Sequence, residues 1–142
     1  MSKIQEFLKN QEKSVMSNVE GKTIIDYFNN NAEEVPEYPA LNTPINSEYT
    51  GWDSVSWSAY RETVHNLASG LIDIGLQLED NAFIVANNVK EHFICDLGIM
   101  HAGAVPSTIY KQLKSGQIEY ISNLLEAKVA FVGDAELFEE VN

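Results

Sequence analysis

Residues 102–110 read Ala102-Gly103-Ala104-Val105-Pro106-Ser107-Thr108-Ile109-Tyr110: three small residues run into a β-branched segment that a proline interrupts. Small residues let a ligand approach the backbone closely, so the stretch is first a candidate cradle. The flanking patterns make it a joint instead. Upstream, Lys90 to His101 places Phe93, Leu97 and Met100 on one helical face with Ile94 beside them. Downstream, Val105 to Tyr110 has the composition of a strand. Gly103 then suits the residue just past a helix end. Pro106 withholds an amide, which fits the start of a strand or a sheet edge.

The same alternation extends both ways from the joint. Ala82-Phe-Ile-Val-Ala86 is wholly apolar, as expected of a strand covered on both faces. Ser115 to Glu126 reads as a helix with Ile118, Ile121 and Leu125 inward, and Lys128 to Gly133 as a third strand. Strands alternating with helices of this length predict βαβ units and a parallel sheet. Before them, Tyr60, Val64, Leu67, Ala68 and Leu71 mark a helix ending near Gly75, with Ser58 the expected N-cap. A hairpin is predicted from about 39 to 57 around the turn-rich PINSEYTGWD, and a short helix from Thr23 with Ile24, Tyr27 and Phe28 on one stripe. Pro36 and Pro39 stop that helix. Residues 1–20, with Ile4, Phe7, Leu8, Val15 and Met16 scattered among charges, read as a frayed amphipathic helix or an arm ending at Gly21.

The expected fold is therefore α/β: three-layer βαβ with a short parallel sheet flanked by helices, plus an N-terminal β-hairpin. The expected organisation is an arm over 1–22 and an α/β subdomain over 23–142. The fourth helix barely begins at AELFEEVN. An unfinished βα unit leaves a sheet edge bare and predicts a piece of a larger protein, prone to self-association as a homodimer.

With 142 residues there is room for one ordinary core. A formal net charge of −12, with only nine Lys and Arg, argues against nucleic acid and against an anionic membrane surface. No apolar run approaches the ~18 residues of a membrane span, and the N-terminus lacks a secretory apolar core. The single cysteine, Cys95, cannot pair internally, so a reducing cytoplasm is the expected setting.

Self-contained chemistry is mostly missing from the sequence. It holds no G-x-G-x-x-G turn, no G-x-x-x-x-G-K-[ST] loop and no G-x-S-x-G elbow. His92 and Cys95 share a helical face, but His101 lies nine positions beyond His92, about 900° of rotation, on the opposite side. The three cannot converge on one metal. A His92–Cys95 nucleophile pair lacks an orienting third group, and the simpler reading is a buried cysteine on a core-facing helix. His65 falls on the polar side of its helix and is expected to be solvated. Glu79-Asp80 suits a helix-to-strand turn. Trp52, Trp57 and Tyr60 are expected to knot hairpin to helix, with an aromatic ligand wall as the sharper alternative. Glu136, Glu139 and Glu140 read as a solvated acidic run.

The ordered set of residues resembles the start of the AMP-forming acyl-CoA synthetases of the adenylate-forming ligase superfamily. It comprises Pro39-Ala40-Leu41, Ser56-Trp57, Leu67-Ala68 with Gly70-Leu71 and Gly75, Asp80, and Asn88 with Glu91. It continues through Ala102 to Pro106, Ile109-Tyr110, Gln117 to Ile121, and Glu126 to Val129. The run PSTIYKQLKSGQIEYISNLLEAKVAFV looks most like the long-chain fatty-acid branch. Glu79, Asn81 and Lys111-Gln112 depart from the residues usual in relatives.

The resemblance implies an N-terminal subdomain of that ligase fold. It also implies a parent enzyme that turns a fatty acid and ATP into an acyl-adenylate and then, with CoA, into acyl-CoA. ATP, magnesium and CoA are implied for the parent and none for these residues alone, whose expected role is structural and inactive. No catalytic or metal residue is assigned here. By the same resemblance, Lys111 and Gln112, with Lys114 close by, are candidates for a CoA-facing loop. The implied partners are the remainder of the ligase chain and, in the parent, a fatty acid. The implied location is cytoplasmic, with membrane association open to the parent. The alternatives are a free-standing, non-catalytic α/β module that binds a nucleotide or a partner, and a dimeric scaffold.

Overall fold

The computed structural model describes residues 3–135 and 138. Three parallel strands form its centre: β3 (Asn81–Val85) lies between β4 (Val105–Thr108) and β5 (Val129–Val132). Helices α4 (Lys90–His101) and α5 (Ser115–Leu125) make the two crossovers. The central position of β3 explains its unbroken apolar sequence, because Ala82, Phe83, Ile84 and Val85 are all buried. Ala82 and Ile84 pack with Leu71, Leu76, Ile99 and Ala104 on one face. Phe83 and Val85 pack with Ile109 and Ile118 on the other, where Ile121 and Leu125 join them as expected. Helices on both faces of a parallel sheet are the predicted three layers.

The joint at 102–104 forms as read. Gly103 has φ +79°, and its amide and that of Ala104 bond back to the carbonyls of Met100 and Ile99 at 3.0 and 3.1 Å. A Cβ on Gly103 would meet Leu78 Cδ1 at 2.9 Å, so the turn needs glycine for space as well as for φ. The Val105 amide then bonds to Asp80 O at 2.8 Å and starts β4. Pro106 sits on β4, an outer strand of the described sheet, opposite Ala82.

Helix α3 (Trp57–Asp73) buries Tyr60, Val64, Ala68 and Leu71 and is followed by Gly75 at φ +99°. Its N-cap is Ser56, not Ser58. Ser56 is extended and its Oγ accepts from the Ala59 amide at 3.3 Å, while Ser58 Oγ lies 3.0 Å from Ser56 Oγ. Trp57 accordingly belongs to the helix and not to the hairpin. The hairpin, β1 (Pro39–Pro44) with β2 (Trp52–Ser56), forms a separate antiparallel sheet with an irregular step between Pro39 and Leu41.

Helix α2 (Ile24–Glu34) starts at Thr23, whose Oγ1 accepts from the Asp26 amide while the Asp26 carboxylate accepts from the Thr23 amide at 2.6 Å. Phe28 is buried, but Ile24 and Tyr27, expected on the same stripe, stay substantially exposed. Helix α1 (Lys3–Val19) is a continuous helix whose Ile4, Phe7, Val15 and Met16 face solvent. Glu136, Glu139 and Glu140 lie outside the described residues, as does most of the helix expected at the C-terminus.

Two expectations fail on packing. Helix α4 does not bury a single Phe93–Leu97–Met100 face. Gly98 and Ile99 are its buried residues, Cys95 packs towards the sheet, and Ile94 and Leu97 pack against α2 and α3. Two buried sides leave no simple stripe to read, and Phe93 remains about half exposed. Trp52 does not join the aromatic knot. It pairs with Pro44 near the turn of the hairpin, stays exposed and lies 6.2 Å from the Tyr49 ring. Phe28 takes its place, edge-on to Trp57 and Tyr60 at 6.0 and 5.0 Å.

Candidate functional site

A cleft of about 370 Å³ opens beyond the carboxyl ends of β3 and β4. Parallel sheets place ligand sites there because the connecting loops diverge. The loop after β3 supplies Asn87 and Asn88, and the first turn of α4 supplies His92. The loop after β4 supplies Tyr110, Lys111 and Gln112. That second loop is anchored at its start by Ile109, which is buried and donates its amide to Ile84 O at 2.9 Å.

The two lips are tied together. His92 Nε2 lies 3.1 Å from Thr108 Oγ1, and Lys111 Nζ donates to Asn87 Oδ1. Among the described residues, Lys111 is the one lysine or arginine that lines the cleft, and no aspartate or glutamate does. The cleft therefore offers one cation, held by Asn87, several neutral polar groups and an apolar wall. Such a set fits one phosphate or carboxylate contact by charge, not a metal–triphosphate.

The three loop residues singled out in the sequence separate here. Lys111 and Gln112 line the cleft, whereas Lys114 precedes the first turn of α5 and its amide donates to Gln117 Oε1 at 3.1 Å. Asn87 and Thr108 were not singled out. Their signal was available in the strand ends, since residues just beyond parallel strands face the ligand crevice.

Of the His/Cys trio, His92 and Cys95 line one pocket beside Glu91, while His101 packs elsewhere, against Phe28. Cys95 is half-buried, and burial, followed by the nearby Glu91 and Asp96 charges, pushes its thiol up to about 11. A thiol held protonated is no nucleophile at neutral pH. His101 Nδ1 lies 2.8 Å from Leu97 O, and its ring meets Phe28 edge-on at 5.4 Å. His65 is exposed as expected, yet its ring is 5.2 Å from that of His101. Partial burial, then the charges of His101 and Arg61, lower its pKa. No group of three His, Cys, Asp or Glu suited to a metal occurs among the described residues. Glu79 has φ +67°, which explains why a glycine would suit that turn. Asn81 has a structural task, its Nδ2 donating to Leu125 O at 2.7 Å at the end of α5.

An open parallel sheet flanked by helices, with a cleft outside the strand ends, is an α/β architecture in which ligand sites recur at that place. Residues 28–142 match the AMP-binding enzyme family, and the chain belongs to that family. It is 29% identical over 125 residues to the long-chain-fatty-acid–CoA ligase heimdall of Drosophila melanogaster, covering 87% of this chain and 18% of that protein. It is 27% identical over 117 residues to the vibriobactin-specific 2,3-dihydroxybenzoate-AMP ligase of Vibrio cholerae, covering 81% and 20%. The chain thus spans about a fifth of the length of these relatives. In fold it is similar to the N-terminal subdomain of Klebsiella oxytoca NpsA in complex with 3-hydroxyanthranilyl-AMSN. The TM-score is 0.71 at 19% identity, covering 84% of this chain and 28% of that one. No helix among the described residues is long and apolar enough to cross a membrane.

Proposed function

We propose that the chain forms the N-terminal part of the large domain of an ATP-dependent fatty acyl-CoA ligase of the long-chain type, where its task is architectural. The observation that carries this reading is the 29% identity to a long-chain-fatty-acid–CoA ligase across 87% of the chain. The run from Pro106 to Val132, which resembles the same branch, supports it.

In this reading the parent joins a fatty acid carboxylate to ATP, releasing pyrophosphate and forming an acyl-adenylate. CoA thiolate then attacks the acyl carbon and AMP leaves. ATP, magnesium and CoA are handled mainly by other parts of the ligase. Residues 23–142 supply a rigid α/β wall and 1–22 an arm, in the cytoplasm. Lys111 and Gln112, on the cleft lip, are the residues proposed to meet CoA, the Lys111 ammonium favouring a phosphate by charge alone.

The competing reading, a free-standing module that binds a nucleotide without catalysis, is separated by calorimetric titration of ATP into the chain. The architectural reading expects no saturable binding below about 1 mM, a free energy weaker than about −4 kcal/mol. Micromolar ATP binding contradicts it and favours the module.

A further inference from the structure

A second recess, of about 280 Å³, lies between α2, β1, the start of α3 and α4, and Phe93 separates it from the cleft at the strand ends, lining both. Its lining differs from that cleft. Five aromatic rings contribute: Phe28 and Tyr60 are buried at its floor, Trp57 is half-buried, and Tyr27 and Phe93 are exposed at the rim. Among the described residues its only charged lining residue is Asp96, one turn beyond Phe93 on the same face of α4. No described lysine or arginine forms an ion pair with Asp96. Partial burial raises the Asp96 pKa, with the His92 charge opposing it.

Aromatic faces carry negative potential and attract cations, and a half-buried carboxylate adds to that attraction. At the rim the Tyr27 ring already carries a cation, Lys22 Nζ lying 5.4 Å from its centre. At about 280 Å³ the recess sits at the lower end of ligand-pocket volumes, about 300 Å³, and suits a small occupant. The Asp96 charge repels a carboxylate and so disfavours the recess as a seat for the head of a fatty acid.

We propose that this recess binds a small organic cation, an alkyl-substituted or quaternary ammonium seated against Trp57 and Phe93 and facing the Asp96 carboxylate. This goes beyond the ligase reading and does not depend on it.

The test uses the full chain carrying Trp52→Phe, which leaves Trp57 as the sole tryptophan. Choline chloride and its neutral isostere 3,3-dimethylbutan-1-ol are titrated at constant ionic strength while Trp57 emission is followed. The expected result is a saturable change with choline and binding of the isostere about tenfold weaker, the scale of one cation–π contact with a partly desolvated ring. Asp96→Asn should weaken choline by a similar factor and leave the isostere unmoved. Equal binding of the two ligands would make the recess merely apolar and overturn the proposal. So would the absence of saturation by choline up to about 100 mM. If Asp96→Asn melts without a cooperative transition, the comparison of choline with its isostere decides alone.

Discussion

Gly98 of α4 and Leu67 of α3 touch so closely that a Cβ on Gly98 would lie 2.6 Å from Leu67 Cδ2 and 2.9 Å from its Cγ. The absence of a side chain at 98 is what lets α4 approach α3 and bury Ile99 against the sheet. Gly98→Ala gains about 1 kcal/mol in helix propensity but overpacks a buried contact, which costs about 1–3 kcal/mol. The expected net result is a lower melting temperature. Adding Leu67→Ala should recover part of the loss, with a coupling above about 0.5 kcal/mol in the double-mutant cycle.

The Thr23–Asp26 pair makes a pH prediction. The Thr23 amide, then the Thr23 hydroxyl, hold the Asp26 carboxyl below its usual value. A folded pKa below the unfolded one stabilises fully above the unfolded pKa, near 4, and that contribution is lost as pH falls through the folded value. Urea midpoints measured from pH 6 down to pH 2 should therefore fall less steeply in Asp26→Asn than in the parent chain. Parallel curves would remove the pair from the acid limb. Thr23→Ala should cost about 1 kcal/mol at neutral pH through loss of the cap.

Cys95 should alkylate slowly. With its thiol pushed up to about 11, the thiolate fraction at pH 7 is roughly a hundredfold below that of an ordinary cysteine. Iodoacetamide labelling followed by mass should be slow at pH 7 and accelerate through pH 10. Rapid labelling at pH 7 would revive a His92–Cys95 nucleophile.

Glu79 holds φ +67° in an exposed turn while its amide bonds to Gly103 O at 2.9 Å. Glu79→Gly relieves that backbone and keeps the bond, at the entropic cost glycine adds to the unfolded chain. The expected outcome is a gain of about 0.5–1 kcal/mol in thermal unfolding. A loss would mean that the Glu79 side chain contributes a contact of its own.

Much of this architecture was legible in the sequence because single-faced elements leave clean patterns. The α3 stripe, the α5 stripe, the apolar β3 run and the Gly103 turn all formed where their residues placed them. Helix α4 defied its pattern because it packs on both the sheet and α3, so its apolar residues surround it. The cap moved from Ser58 to Ser56 because both serines can supply a hydroxyl, and only backbone conformation chooses between them. Trp52 and Trp57 look equivalent in sequence, yet strand register sends one to solvent. The cleft was half legible. Lys111 and Gln112 were named, but Asn87 and Thr108 reach them only through the pairing of β3 with β4.

The most direct test of the central claim, that these residues build a ligase without performing its chemistry, is pyrophosphate release from ATP by the folded 142-residue chain. Magnesium, CoA and a panel of long-chain fatty acids would be supplied, and a cooperative melt would establish that the chain is folded. The account predicts release no faster than the acid-free control for every fatty acid. Fatty-acid-dependent release above that control, abolished by omitting ATP, would contradict it.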